Sequence, residues 1–276
     1  MGVVLGIDVG GSTTKIVGYD ETRTLIGTLQ VKATDQVTSL YGAIGNFLYR
    51  EAVPLTAVKT IVLTGVGASY IEKDIYDIPT FKVDEFQAIG HGGLTLAALD
   101  EALVVSMGTG TAYVRASQEG ITHIGGSGVG GGTLLGLSEQ LFQEKNIETI
   151  DMLARQGDLH NVDLFISEIT KSKISSLPPD VTASNLGRIK NTATKSDLAL
   201  GLLNMIFQTV GMLAVFACRN DTIKDVVFTG ALTVFPQART VFAGLREMYG
   251  LNFIIPEKAV FATAIGATIP YLEEKK

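Results

Sequence analysis

The chain has 276 residues, enough for two small lobes or one large domain, and with 46% hydrophobic against 18% charged residues it can bury a sizeable core. A net charge of −6 without a basic run argues against nucleic acid as a main partner, so any bound phosphate must be held by local backbone donors and metal. The single cysteine, Cys218, excludes a disulfide framework and a cysteine metal cluster and fits a reducing cytoplasm.

Val3, Val4, Leu5 and Ile7 read as a buried strand that delivers Asp8 into a turn. Gly10 and Gly11 let backbone N–H groups approach an anion, and the alternation over 14–19 makes the Gly-Gly step a hairpin bend. The apolar start lacks a basic leader and does not read as a signal peptide. Asp20-Glu21 turns the chain into a third strand, followed by a helix over 35–49 and a strand over 60–64 closed by Gly65-Val66-Gly67. After Pro79 a helix spans 84–99. A second series then opens with a strand over 102–106, the turn Gly108-Thr109-Gly110-Thr111, and strands near 112–115 and 121–124 around Glu119-Gly120. Strand, glycine turn and strand therefore occur twice, as a two-lobed nucleotide clamp requires. The later half reads as helices over 133–145, 149–155 and 183–190, a long helix at 199–218, a strand over 226–229, a helix over 235–249, a strand over 251–255 and a helix over 259–272, with a tail at 273–276.

The long helix has no charge across twenty positions, which is enough to span a bilayer by length. Asn204, Gln208 and Thr209 interrupt it, Ser196-Asp197 offers an N-cap and Arg219-Asn220-Asp221 an end, so it reads as buried in a core or subunit interface.

A carboxylate beside a glycine cradle suits magnesium held against nucleotide phosphates; the plain alternative is a glycine hairpin with a solvated Asp8. No G-x-x-x-x-G-K-[S/T] occurs, so this is not a Walker loop. Residues 108–111 offer a second phosphate contact, or an ordinary hairpin. Seven glycines in the twelve positions 125–136 lose much backbone entropy on ordering, and a helix starting at Thr133 offers free N–H groups to an anion. Gly126 to Gly131 also matches G-x-G-x-x-G with Glu148 downstream, which keeps a dinucleotide site open but leaves the Asp8 and Thr109 turns without a role. Asp84-Glu85 supplies a candidate general base, or merely complements a helix dipole. The strand end at Gly230-Ala231 lets adenine approach the backbone, or simply turns into a helix. His91, His123 and His160 have no metal-ligand spacing.

The first hairpin resembles that of the acetate and sugar kinase, actin and heat-shock chaperone superfamily. In order, Gly6-Ile7-Asp8-Val9-Gly10-Gly11-Ser12 with Lys15, Glu85-Phe86 with Ala88, Gly108 to Thr111, Gly125 to Gly132, Thr182-Ala183-Ser184-Asn185-Leu186-Gly187, Thr229-Gly230 and Ala264-Ile265-Gly266-Ala267 resemble a bacterial type II pantothenate kinase nearly end to end. The resemblance implies an α/β chain of two ribonuclease H-like lobes in the actin-like ATPase fold, over 1–95 and 96–276, with the nucleotide in the cleft and helical dimerisation elements in the second lobe. It implies an ATP- and Mg²⁺-dependent kinase that phosphorylates the 4′-hydroxyl of pantothenate, the first step of coenzyme A biosynthesis. It further implies a cytoplasmic homodimer without nucleic-acid or membrane partners, and leaves regulation by coenzyme A or its thioesters open. Carried over by position, Glu85 is the base and Asp8 holds the metal. Asp8, Val9, Gly10, Gly11, Ser12, Thr13, Thr14, Lys15, Thr109, Gly131, Gly132, Thr133, Leu134, Leu135, Gly230 and Ala231 bind nucleotide, and Glu85, Gly110, Thr111 and His123 bind the acceptor.

One position departs from the family: His123 stands where an Arg is common, and a neutral imidazole cannot grip a carboxylate bidentately. A sugar kinase of the same superfamily keeps the ATP site with another acceptor, and a non-catalytic ATP switch keeps the clamp without one. The activator ATPases of radical dehydratases share the hairpins but use cysteines to hold an iron–sulfur cluster, for which Cys218 alone is insufficient.

Overall fold

A computed structural model describes residues 2–33, 35–172 and 178–273. Strands β1 (Val3–Val9), β2 (Thr13–Tyr19) and β3 (Leu25–Lys32) form an antiparallel meander. After α1 (Gln36–Arg50), β4 (Val58–Thr64) and β5 (Thr80–Lys82) add in parallel, giving the order β3-β2-β1-β4-β5. Helix α2 (Glu85–Ala97) leads to a second meander, β6 (Glu101–Met107), β7 (Thr111–Ser117) and β8 (Gly120–Ser127). Then come α3 (Gly131–Phe142), α4 (Ile147–Ala154), β9 (Leu164–Phe165), α5 (Ile166–Ile169), β10 (Thr182–Ser184), α6 (Lys195–Cys218), β11 (Asp225–Thr229), α7 (Pro236–Tyr249), β12 (Asn252–Ile254) and α8 (Ala262–Glu273). The second sheet has the order β12-β11-β6-β7-β8, with β11 and β12 parallel to β6, so it repeats the plan of the first. This is the two-lobed α/β architecture expected from the sequence.

Strand alternation assigns each sheet two apolar faces. On the first sheet, Leu5, Ile7, Val9 and Ile16 pack on Leu40, Ile44 and Phe47 of α1. Its other face turns Val17 and Val62 toward Ala264, Ile265 and Ala267 of α8. The second sheet packs Leu103, Val105 and Phe228 on Leu202 and Phe207 of α6 and Phe242 of α7, and its other face sets Val104, Val114 and Val227 on Ile89 of α2. Each fully buried Val, Leu, Ile or Phe side chain among them contributes about 1.5–3 kcal/mol. Helices α2 and α8 lie against each other between the sheets, and only glycine fits their crossing. A Cβ at Gly92 would sit 1.9 Å from the Ala262 carbonyl oxygen, and one at Gly266 would sit 1.9 Å from that of Ala88.

Local departures from the sequence reading have physical causes. No helix forms over 183–190: Thr182–Ser184 pairs with β9, Asp163 Oδ1 accepts from the Leu186 N–H at 2.8 Å, and Leu186 is held at φ +53, where a right-handed helix cannot run. The buried Asp163 carboxylate outcompetes the local helix pattern, also accepting from Asn204 of α6 at 2.7 Å. Helix α6 starts before 199, capped by Thr194 rather than Ser196-Asp197; Asp197 serves instead as the reciprocal member of a capping box. That helix is long and apolar enough to cross a membrane, yet Leu202, Leu203, Phe207 and Val210 are fully buried in the second core. Gly125, Gly126 and Ser127 belong to β8 instead of a loop, α3 begins at Gly131, and the short strand β5 had no signal in the pattern. In the expected tail, residues 274–276 lie outside the described residues.

Candidate functional site

Pairing of β1 with β2 sets Asp8 opposite Lys15, and their side chains meet in a buried ion pair, Nζ to Oδ2 at 2.9 Å. The Gly10 N–H donates to the Thr13 carbonyl at 3.0 Å, closing the turn and leaving Gly11 and Ser12 exposed at its tip. On the other side of Asp8, β4 ends at Thr64, its register partner, and Gly65 follows at φ +87. A Cβ at Gly65 would stand 2.6 Å from Asp8 Oδ1, so glycine keeps the open side of the carboxylate clear.

The second hairpin faces the first. The hydroxyls of Ser12 and Thr109 share a hydrogen bond at 3.3 Å, which brings the two glycine turns together. Around Thr109 the glycine-rich segment folds onto the turn: the N–H groups of Gly131 and Gly132 donate to the carbonyls of Gly108 and Thr109 at 2.9 and 2.8 Å. These two amides are therefore engaged within the fold. A Cβ at Gly130 would lie 2.8 Å from Gly110 Cα, so part of the glycine content serves backbone packing. Thr111 donates to the Val129 carbonyl at 2.8 Å, and Thr133 to that of Gly128 at 2.9 Å.

Glu85 opens α2, whose N-cap Asp84 accepts from the N–H groups of Phe86 and Gln87 at 2.9 and 3.1 Å. Burial and the nearby Asp8 push the Glu85 carboxyl above its ordinary value, against the pull of Lys15. Glu85 thus lies in the electrostatic field of the Asp8–Lys15 pair. Next to it, Phe86 stacks on the His123 ring with centroids 3.9 Å apart and planes at 14°, and Gln87 Nε2 donates to the Ile121 carbonyl at 3.3 Å. Across the second sheet, Gly230 at φ +91 ends β11, and the short turn from Ala231 follows.

The structure thus brings together Asp8, Lys15, Gly11, Ser12, Thr109 and Glu85, with Phe86 and His123 alongside. Val9, Thr14 and Leu134, expected at the nucleotide, have side chains with no measurable exposure, and the partly buried Leu135 packs on the core of the second lobe. Sequence reasoning missed Gly65 and the Phe86–His123 stack; the Gly65-Val66-Gly67 signal was visible but carried no hint of Asp8 at its side.

Among the described residues no cluster of three His, Cys, Asp or Glu side chains exists to cage a metal. Magnesium does not need one: it takes one or two carboxylates and completes its shell with water and phosphate oxygens. Asp8, with Lys15 on Oδ2 and the glycine gap at Oδ1, fits that demand.

Over 98% of this chain and 99% of that protein, the sequence is 27% identical to the type II pantothenate kinase of Staphylococcus aureus strain USA300. Among solved structures it is similar to the activator of the 2-hydroxyisocaproyl-CoA dehydratase from Clostridium difficile with bound ADPNP, at TM-score 0.70 and 12% identity over 99% of this chain and 95% of that one. Component A of the (R)-2-hydroxyglutaryl-CoA dehydratase of Acidaminococcus fermentans gives TM-score 0.67 and 15% identity over 99% of each chain. At these identities the structures show the shared fold, that of the actin-like ATPases. The Fumble family model matches residues 101–240, just over half of the sequence, and the chain belongs to the Fumble family.

Proposed function

We propose that this chain is an ATP-dependent kinase that phosphorylates the 4′-hydroxyl of pantothenate, the entry step of coenzyme A biosynthesis. The observation that carries this reading is the buried Asp8–Lys15 pair beneath two facing glycine turns, with the partly buried Glu85 in its field. Relatives named type II pantothenate kinase, matched over nearly the whole chain, support the acceptor.

In this reading the hairpin tips at Gly11, Ser12, Thr13 and Thr109 face the phosphates, with the backbone around Gly131 to Leu135 behind them, and Gly230-Ala231 lies along the adenosine. Asp8 would hold magnesium, which when bound with the nucleotide would draw charge from the transferring phosphoryl group. Lys15 fixes the Asp8 rotamer by ion pairing. Glu85, ionised, accepts the proton from the acceptor hydroxyl as its oxygen bonds to the γ-phosphorus of ATP and the bond from that phosphorus to the β,γ-bridging oxygen breaks, releasing ADP. His123, held flat on Phe86, flanks the acceptor with Gly110 and Thr111. We further assign the lobes to 1–95 and 96–276, with α2 and α8 as the seam, and a cytoplasmic homodimer in which the exposed Leu213 and Phe216 of α6 find a partner. Cys218, whose thiol burial pushes up to about 11, is a protonated core side chain and no cluster ligand.

An ATP-consumption assay with Mg²⁺ tests this, comparing pantothenate, glucose, N-acetylglucosamine and no acceptor. Saturable turnover with pantothenate alone is expected. Turnover with a sugar reassigns the acceptor, and acceptor-independent turnover makes the chain an ATP switch.

A further inference from the structure

Three buried threonine hydroxyls, those of Thr14, Thr64 and Thr229, have no hydrogen-bond partner. Buried hydroxyls are ordinarily satisfied, because leaving one unpaired forfeits its hydration without return. Thr14 shares the α1 side of the first sheet with Val9 and Ile16, away from the hairpin carboxylate. Thr64 is different. It is the parallel register partner of Asp8, so the two side chains project from the same face of neighbouring strands, about 4.8 Å apart at the backbone. Immediately after it, Gly65 at φ +87 withholds the Cβ that would fill the space beside Asp8 Oδ1, while Lys15 engages Oδ2. An orphaned hydroxyl, an open carboxylate oxygen and a glycine that keeps the space clear therefore converge on one point at the end of β4.

We propose that Thr64 is a positioning residue of the nucleotide site, its Oγ1 completing its hydrogen bond with an oxygen that arrives with the magnesium nucleotide, a metal-bound water or a phosphate oxygen. This rests on the kinase reading. It explains why a threonine sits where valine would fill the same volume without an unpaired polar atom, in a strand whose neighbours Ile61, Val62 and Leu63 are apolar and fully buried. Thr229, at the equivalent end of β11 beside Ser106, shows the same build without a carboxylate next to it, so the threonine–glycine end is a repeated unit and the acidic neighbour is particular to Thr64.

The test compares the full chain with Thr64→Val, which keeps the branched shape, and Thr64→Ser, which keeps the hydroxyl and loses the methyl. Melting temperatures are measured alone, with Mg²⁺ and with Mg²⁺–ADP, alongside turnover. Thr64→Val is expected to melt no lower than the parent when ligand-free, to gain less from Mg²⁺–ADP, and to lose about tenfold or more in kcat with the acceptor KM unchanged. Thr64→Ser is expected to recover the ligand-induced gain even if it melts lower. If Thr64→Val gains as much from Mg²⁺–ADP as the parent, or if its losses match those of Thr64→Ser, the hydroxyl is not a positioning group. Should the parent itself gain nothing from Mg²⁺–ADP, the nucleotide site fails, and Thr64 with it.

Discussion

At the neck of the first hairpin, β1 places Asp8 between Lys15 of β2 and Thr64 of β4; at the neck of the second, β6 places Ser106 between Ala112 of β7 and Thr229 of β11. Both flanking strands end in Thr-Gly, with the glycine at φ +87 in one lobe and +91 in the other, and both run into a short 3-10 turn. The backbone plan is duplicated while the charge is not. A repeated frame can thus divide labour, one neck carrying a buried ion pair and the other neutral side chains. Glu85 reinforces that asymmetry, because α2 packs on the second sheet but delivers its first turn to the charged neck of the first.

Removing one partner of the buried pair should show the asymmetry most strongly. Asp8→Ala leaves the Lys15 ammonium buried and unpaired, a change that costs about 3–5 kcal/mol. Ser106→Ala at the equivalent place should stay below about 1 kcal/mol. Denaturant unfolding of the two variants checks this, and equal losses would mean that the two necks are energetically alike. Next in size is the seam that both lobes share. Gly266→Ala pushes a methyl group into the Ala88 carbonyl, where backbone must move, and should cost about 3 kcal/mol. A single calorimetric transition at lower temperature is expected; two separated transitions would show that the lobes unfold independently despite α2 and α8.

Glu85→Gln tests whether the chemistry depends on a group that the second lobe positions for the first. Turnover should fall about a hundredfold with the fold retained. Since burial and Asp8 raise the Glu85 carboxyl, parent turnover should climb with pH through a value above the ordinary glutamate one, and the variant should lose that limb. The stability sign is opposite to that of a salt-bridged acid. The folded state holds the Glu85 proton more tightly than the unfolded chain, so ligand-free stability declines as pH rises from the ordinary glutamate value through the raised one. Glu85→Gln should remove that decline, which equilibrium unfolding at several pH values will detect.

Much of the frame was legible because it rests on local chemistry. The apolar run before Asp8, the Gly10-Gly11 bend and the helical spacing that opens at Asp35 and at Asp84 each specify their element within a few residues. The doubling of the hairpin was visible as pattern, and the mutual approach of the two turns through Ser12 and Thr109 followed from it. What stayed hidden depends on partners far along the chain. Asp163 takes Leu186 and Asn204 as donors from 23 and 41 residues away, and so undoes a helix that its own segment favours. The glycine-rich segment pointed to a ligand more than to a structural loop, whereas part of it exists to let two backbone turns touch. The stack of His123 on Phe86 pairs a strand with a helix start, which no spacing rule foresees.

The smallest expected effect sharpens the comparison between the lobes from another side. Arg115 of β7 and Asp221 form an ion pair whose Nε–Oδ2 distance is 2.9 Å, the same as Nζ–Oδ2 in the Asp8–Lys15 pair. Distance does not set the worth of the two contacts; burial does. The side chains of Asp8 and Lys15 are 10% and 9% exposed, those of Asp221 and Arg115 26% and 37%, so water competes for the second pair and salt screens it. Arg115→Ala should therefore cost less than about 1 kcal/mol at neutral pH, several-fold below the effect of Asp8→Ala. The hydrogen bonds from Arg115 hold the Asp221 carboxyl down to about 2. A depressed carboxyl contributes stability above the unfolded value near about pH 4 and loses it as pH falls toward 2. The difference in stability between parent and Arg115→Ala should accordingly be present at pH 7, shrink below pH 4 and be reduced by added salt. A difference that survives both acid and salt would show that Arg115 acts through the packing of its aliphatic stem rather than through its charge.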